Sequence, residues 1–198
     1  MTDKDIELTS IKIGILGDSQ VGKTAICNTF IDLEFKEESV STIGAEKYEK
    51  KMKIEGDKLM KIVLWDTAGQ ERFRSAGLKA IRSVHGVALV FAVDNPQSFA
   101  NVEKWLIDIN DNMDKPCLVL LGNKVDIPED EWKVKQEDID ELCEKKKLIY
   151  YGTSAKENKG ITESFTYIAN LVYKKVEENK KKNIKIDGGG EKPKKKCC

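Results

Sequence analysis

One histidine, His85, and three arginines, Arg72, Arg74 and Arg82, stand in a chain of 198 residues. One imidazole excludes multi-histidine zinc sites and argues against a histidine-based triad. Nowhere do about 20 apolar residues run together, the length that a membrane-spanning helix needs. Met1 to Ser10 is polar, so no secretory leader is expected. Thr2 stands where an N-myristoylated chain needs glycine. Five cysteines, without a dense framework, suit a reducing compartment. With 40% hydrophobic and 34% charged residues, the chain is neither a disulfide scaffold nor wholly disordered. Net charge is also missing, but the zero hides an asymmetry. From Lys174 to Cys198 ten lysines face four acids, a net of +6, which leaves −6 on the preceding 173 residues. An acidic body with a basic tail is not the profile of a nucleic-acid-binding domain. It fits a body in solution and a tail near something negative.

Ile11, Ile13 and Ile15 alternate until Gly17 breaks the run, which predicts a short strand entering a loop. Ala25 to Leu33 has helical character, and Phe35 to Gly44 reads as a loop. Ala45 to Ile54 and Leu59 to Trp65 read as two strands joined by a turn at Glu55-Gly56-Asp57. The first is dense in Lys and Glu, as an edge strand is. Gly86 to Val93 and Cys117 to Gly122 are apolar runs of buried parallel strands, and Leu148 to Tyr151 is a weaker one. Helices are expected over Ser98 to Asn110, Gln136 to Lys146 and Ile161 to Glu177. Strands alternating with helices predict an α/β fold with a mostly parallel sheet. Residues 1–10 form an N-terminal extension and 11–178 the domain. Residues 179–198, rich in Lys and Gly, are expected to be a disordered basic tail.

Gly17-Asp18-Ser19-Gln20-Val21-Gly22-Lys23-Thr24 matches G-x-x-x-x-G-K-[ST] between a predicted strand and a predicted helix. Its glycines let successive N–H groups converge on phosphates, to which the helix N-terminus adds positive potential. Lys23 can reach the β- and γ-phosphates, and Thr24 can place its hydroxyl on Mg²⁺. Alone, this motif says only that a nucleoside triphosphate is bound. Asn123-Lys124-Val125-Asp126 follows a strand, at the end of the sheet where open α/β folds bind ligands. The Asp126 carboxylate can accept in parallel from guanine N1–H and its 2-amino group, a pair that adenine lacks. Thr153-Ser154-Ala155-Lys156 follows the next strand and can close over the base. Either tetrapeptide alone reads equally well as a solvated loop; together, in this order, they do not. Asp66, in Trp65-Asp66-Thr67-Ala68-Gly69-Gln70-Glu71, can hold a metal-bound water; the Gly69 N–H can approach the γ-phosphate and Gln70 can orient an attacking water. Thr42 is a possible second Mg²⁺ ligand, although read alone it is an ordinary loop threonine.

With all five motifs in order, the chain closely resembles the Ras superfamily of small GTPases over residues 9 to 178. Ser41-Thr42-Ile43-Gly44, the Trp65 to Arg74 segment and the terminal Cys197-Cys198 make it most similar to the Rab branch. The resemblance implies a P-loop G domain: a six-stranded, mostly parallel sheet with one antiparallel edge strand and helices on both faces. It implies that Gly17, Asp18, Ser19, Gln20, Val21, Gly22, Lys23 and Thr24, with Ala25 behind them, hold the phosphates of GTP or GDP. Phe35 would pack on the guanine, and Asn123, Lys124, Asp126, Ser154, Ala155 and Lys156 would hold it. Thr24, Thr42 and Asp66 would attend Mg²⁺, with Gln70 and Lys23 in catalysis. Implied partners are an exchange factor, a GTPase activator, an escort that shields lipids, and unidentified effectors around a monomeric G domain. The implied role is vesicle trafficking on cytosolic membrane faces, with a soluble cytosolic pool. Cys197 and Cys198, behind Lys194-Lys195-Lys196, would both carry geranylgeranyl groups. Two lipids anchor stably where one is marginal; without the other motifs, an unmodified basic tail with two thiols would be preferred.

The chain also departs from its relatives. The three effector-facing aromatics of Rabs align with Lys47, Trp65 and Ala80, so two are lost and standard effectors are expected to bind poorly. Gly152 replaces the usual glutamate before Thr153. Rival readings are an adenine-nucleotide P-loop enzyme, which Asp126 opposes, and a module that holds GTP but scarcely cycles. Cys27, Cys117 and Cys143 read as core filling, while Trp105 and Trp132 have no assigned role. No arginine lies between Thr24 and Gln70, so no cis arginine from that stretch can neutralise transition-state charge. The isolated chain should therefore turn GTP over slowly in a single-turnover assay. An arginine supplied by a partner should accelerate it roughly 10³–10⁵-fold; a fast unassisted rate would contradict this.

Overall fold

The computed structural model describes residues 10–33, 45–67 and 82–187, with side chains to residue 179. Six strands form one sheet: β1 (Ser10–Leu16), β2 (Ala45–Ile54), β3 (Lys58–Thr67), β4 (Gly86–Ala92), β5 (Cys117–Asn123) and β6 (Tyr150–Thr153). Their order is β2-β3-β1-β4-β5-β6, with β2 antiparallel to β3 and every other pairing parallel. The helices are α1 (Lys23–Phe30), α2 (Pro96–Ala100), α3 (Val102–Asn112), α4 (Gln136–Lys146) and α5 (Ile161–Asp187). This is the expected α/β architecture, including the lysine-rich antiparallel edge.

The sheet separates two cores. On one side Ile26 and Phe30 of α1 and Phe165, Ile168 and Val172 of α5 cover Ile11, Ile13 and Ile15. The Phe30 and Phe165 ring centroids are 4.7 Å apart. On the other side Val102, Trp105, Leu106 and Ile109 of α3 and Ile139 of α4 cover Leu16, Leu89 and Phe91. All seven residues of β4 are buried, because both faces of this central strand are covered. Cys27 is fully buried in the first core, while Cys117 and Cys143 are half-buried against one core each. β1 has β3 on one side and β4 on the other. The chain leaving β1 thus emerges where the strand order reverses, which is where such sheets bind ligands.

Most boundaries move by one to three residues from the sequence reading, and three differences have a clear physical cause. The helix expected over Ser98 to Asn110 is two helices hinged at Asn101. Pro96 opens α2, and the Asn95 side chain caps it by accepting from the Ser98 N–H at 3.1 Å. β6 starts at Tyr150 rather than Leu148. The Leu148 N–H instead closes α4, donating to the Cys143 carbonyl at 2.9 Å behind Lys147, whose φ is +54°. Finally, α5 runs to Asp187, past the expected end at Glu177 and into the segment expected to be unstructured. Glu and Lys are strong helix formers. Residues 177–182 carry five of them, at Glu177, Glu178, Lys180, Lys181 and Lys182.

His85 fastens the end of the sheet opposite the loop. Its Nδ1 accepts the Lys12 backbone N–H at 2.9 Å, and the His85 backbone N–H donates to the Lys12 carbonyl at 2.8 Å. Partial burial, then the nearby Lys12 charge, hold its pKa below 6.5. The unfolded chain therefore takes up a proton at a pH where the native imidazole resists it, so stability falls as pH drops below 6.5. His85→Asn keeps an acceptor but cannot titrate. Urea midpoints at about pH 7.5 and about pH 5.5 should differ more for the natural chain than for the variant; parallel pH dependences would count against it.

Candidate functional site

Gly17 leaves β1 at φ +138°, pressed against β4 so closely that a Cβ would lie 2.1 Å from the Val90 carbonyl oxygen. Gln20 at φ +64° and Gly22 at φ +94° reverse the backbone hand, which is how consecutive N–H groups come to face one concavity. A Cβ on Gly22 would fall 2.2 Å from Asn123 Nδ2. Gly22 is also the N-cap of α1, with no side chain to occupy the helix's first N–H groups. Lys23, 6% exposed, donates from Nζ to the carbonyls of Gly17 at 3.0 Å and Asp18 at 2.6 Å. Burial pushes its pKa down to about 8, against the pull of Asp66 and Asp18. A phosphate at this position would restore a full counter-charge to the ammonium.

Beside it, Thr24 Oγ1 donates to Asp66 Oδ2 at 2.5 Å. Asp66 is fully buried at the end of β3, where its Cα pairs with Ile15. On the far side of the loop, the Asp18 carboxylate accepts from Asn101 Nδ2 at 2.6 Å and Trp105 Nε1 at 2.8 Å. Sequence reading left Trp105 without a role, because nothing in a one-dimensional pattern links residues 18 and 105.

The base-reading segments meet the loop through Asn123. Its Nδ2 donates to the Val21 carbonyl at 2.9 Å, and its Oδ1 accepts from Thr153 Oγ1 at 3.3 Å. Ser154 Oγ donates to Asp126 Oδ1 at 2.7 Å, which fixes the carboxylate that would face the base. Lys124, at φ +71°, pairs with Asp94 at 2.9 Å, a partner the sequence reading missed. The Ala155 carbonyl accepts from Thr29 Oγ1 of α1 at 2.9 Å, which ties this segment back to the phosphate-loop helix. Trp132 Nε1 donates to the Ile127 carbonyl at 2.8 Å, holding the chain just beyond Asp126. Gly152 fits closely: a Cβ would meet Val125 at 3.3 Å. Ten expected site residues, from Gly17 to Ala25 and Asp66, therefore gather at the ends of β1 and β3. Asn123, Lys124, Asp126, Ser154, Ala155 and Lys156 gather at the end of β5 and just beyond β5 and β6. Phe35, Thr42, Gly69, Gln70, Cys197 and Cys198 lie outside the described residues.

Residues 12–174 match the Ras family. The chain is 35% identical to rat Ras-related protein Rab-27A over 188 residues, covering 89% of this chain and 84% of that protein. It is 36% identical to Ras-related protein Rab-10 of Diplobatis ommata over 191 residues, covering 94% of each. It is 39% identical to Ras-related protein RABG3b of Arabidopsis thaliana over 171 residues, covering 82% of this chain and 83% of that protein. This chain is a Rab-family small GTPase. The family binds guanine nucleotide and typically Mg²⁺, and the residues fit both. Thr24 and Asp66 offer two adjacent oxygen donors, and a magnesium ion needs only one or two protein oxygens beside phosphate and water. Among the described residues no three His, Cys, Asp or Glu side chains cluster as a self-sufficient metal site. On the outer strands of this GTPase the structure places two of the three positions that the resemblance aligns with effector-facing aromatics. Lys47 is exposed and ion-paired with Glu49, which also takes Lys61 at 2.9 Å. Lys47 stands directly across from Trp65, which is half-buried against the second core; Ala80 lies outside the described residues. Arg82, the one arginine among the described residues, binds Asn112 Oδ1 from Nη2 at 3.1 Å, next to the His85 end of the sheet.

Gly22→Ala tests the loop. The strained backbone and the Asn123 contact together should cost about 1–3 kcal/mol, a roughly 5- to 150-fold loss of GDP affinity by equilibrium titration. An unchanged affinity would remove the loop from the site.

Proposed function

We propose that this GTPase is a lipid-anchored molecular switch in vesicle trafficking, cycling between GTP- and GDP-bound forms. What carries the reading is the convergence at the carboxyl ends of the strands of the phosphate loop, the Thr24–Asp66 pair and the Asn123–Asp126 segment. One of the relatives, 35% identical over 175 residues, is a Ypt/Rab-type GTPase, ypt7 of Schizosaccharomyces pombe.

In this reading the loop N–H groups and Lys23 bind the β- and γ-phosphates, and Asp126 with the Ser154–Lys156 segment selects guanine. Phe35 covers the base. Mg²⁺, when bound, supplies positive charge against the phosphate oxygens, held on the protein side by Thr24, Thr42 and Asp66. Thr42 and the Gly69 N–H engage the γ-phosphate, so that both segments let go after hydrolysis and partners read the difference. Gln70 orients the attacking water, and Lys23 stabilises charge on the transferred group. An exchange factor, a GTPase activator and a lipid-shielding escort complete the cycle. Cys197 and Cys198 carry the lipids, and each neighbouring lysine adds about 1 kcal/mol on an anionic leaflet. Among the described residues no helix is long and apolar enough to cross a membrane. The attachment is to cytosolic faces of endomembranes, with a soluble pool.

Lys47 in the effector face favours a second reading, a module that holds GTP without signalling. Affinity capture with Gln70→Leu and Thr24→Asn separates the two, since by family analogy these hold the active and inactive forms. Proteins captured only by Gln70→Leu support the switch. Identical captures, with nucleotide loading of both verified, support the silent module. The natural chain recovered from the same cells should show an intact mass raised by two lipids; an unmodified mass would end the anchor proposal.

A further inference from the structure

Asn101 is the N-cap residue of α3, yet its side chain makes no hydrogen bond to that helix. Asparagine at an N-cap normally satisfies one of its own helix's N–H groups, worth about 1 kcal/mol over alanine. Here its Nδ2 reaches across to Asp18 instead, and the Gln97 amide sets the orientation by donating to its Oδ1 at 3.4 Å. Four residues on, one helical turn along the same face, Trp105 adds Nε1–H to the other carboxylate oxygen. Trp105 is 3% exposed, so its ring is already fixed by packing and the indole N–H has little freedom to search for a partner. Asp18 itself is the residue after Gly17, and its backbone carbonyl takes one of the two Lys23 hydrogen bonds. One residue thus joins α3, through its side chain, to the phosphate-binding lysine, through its backbone.

A carboxylate in a loop that must receive phosphates is a liability, because it repels the ligand. Two donors and the positive end of α3 hold this one where its charge is compensated. We infer that Asn101 and Trp105 are positioning residues for nucleotide retention: they tether the phosphate loop to α3 through Asp18 and so preorganise it for phosphate. The inference rests on residues 17–24 being the phosphate site.

The test is GDP release from the full-length chain, loaded with a fluorescent GDP and chased with excess unlabelled GDP. Trp105→Phe keeps the ring and removes only the N–H; Asn101→Ala removes the amide. Each should release GDP roughly tenfold faster, equivalent to about 1.4 kcal/mol. The exchanged pair Asp18→Asn with Asn101→Asp restores an amide–carboxylate bond with its ends reversed, keeps an acceptor oxygen for Trp105 and leaves a good N-cap. It should return release towards the natural rate. Ile109→Ala, fully buried on α3 one turn beyond Trp105, should lower the melting temperature while release stays unchanged. Natural release rates in both single variants would overturn the tether. So would acceleration by Ile109→Ala equal to that of Trp105→Phe, because general loosening of α3 would then suffice. An unaltered chain that cannot hold GDP would overturn the site reading itself, and the tether with it.

Discussion

The Asn123 side chain, 2% exposed, holds two segments, at Val21 and Thr153, that lie 132 residues apart in the chain. Its donor end binds the phosphate loop at Val21 and its acceptor end binds Thr153 before the base-closing segment. A buried primary amide left unpaired would cost about 1–3 kcal/mol, so each loop secures the geometry of the other. The contact with Gly22 adds a steric condition, since only a residue without Cβ lets the amide sit where both bonds form. In the proposed reading, phosphate and base recognition are therefore parts of one polar network at the carboxyl ends of parallel strands. Such networks hold their geometry only when fully paired.

Around that network the sheet imposes a gradient. At the loop end the polar groups are buried or half-buried and each meets specific partners: Lys23 two carbonyls, Asp18 the side chains of Asn101 and Trp105, and Asp126 that of Ser154. At the β2 edge the charges are exposed and shared loosely, with Glu49 taking both Lys47 and Lys61. Exposed pairs of that kind contribute little to stability, so substitution there is cheap.

What the sequence made legible follows the same division. Loop geometry that depends on glycine and on short spacing could be read residue by residue, and Gly17, Gly22, Lys23 and Thr24 stand together as expected. The strand alternation and the buried runs of β4 and β5 were legible because their periods are strict. Partnerships across the fold were not. The Asp94–Lys124 pair, the Asn101–Asp18 bond and the Trp105 indole join residues 30, 83 and 87 positions apart, and no local pattern announces such pairs. Boundaries failed where two signals competed. Leu148 looked like strand but closes α4, and the lysine-rich run after Glu177 looked unstructured but carries helix-favouring Glu and Lys.

The two fates of lysine show why composition alone misleads here. Lys23 sits in a site that destabilises its charge, with a pKa near 8, and a phosphate is the group that would relieve it. Lys47 occupies an edge strand, where an ammonium stays hydrated and keeps a neighbouring β-edge from pairing. One is a charge whose position is dictated by buried geometry; the other is a charge that the surface merely accepts. The β2–β3 hairpin reaches the loop end through Asp66 and Thr67, the last two residues of β3, while the outward face of β2 is free to change partners. The chemistry that holds a nucleotide is not disturbed by such a change. A Rab-family chain that keeps its nucleotide motifs with Lys47 on the outer strand is what that separation permits.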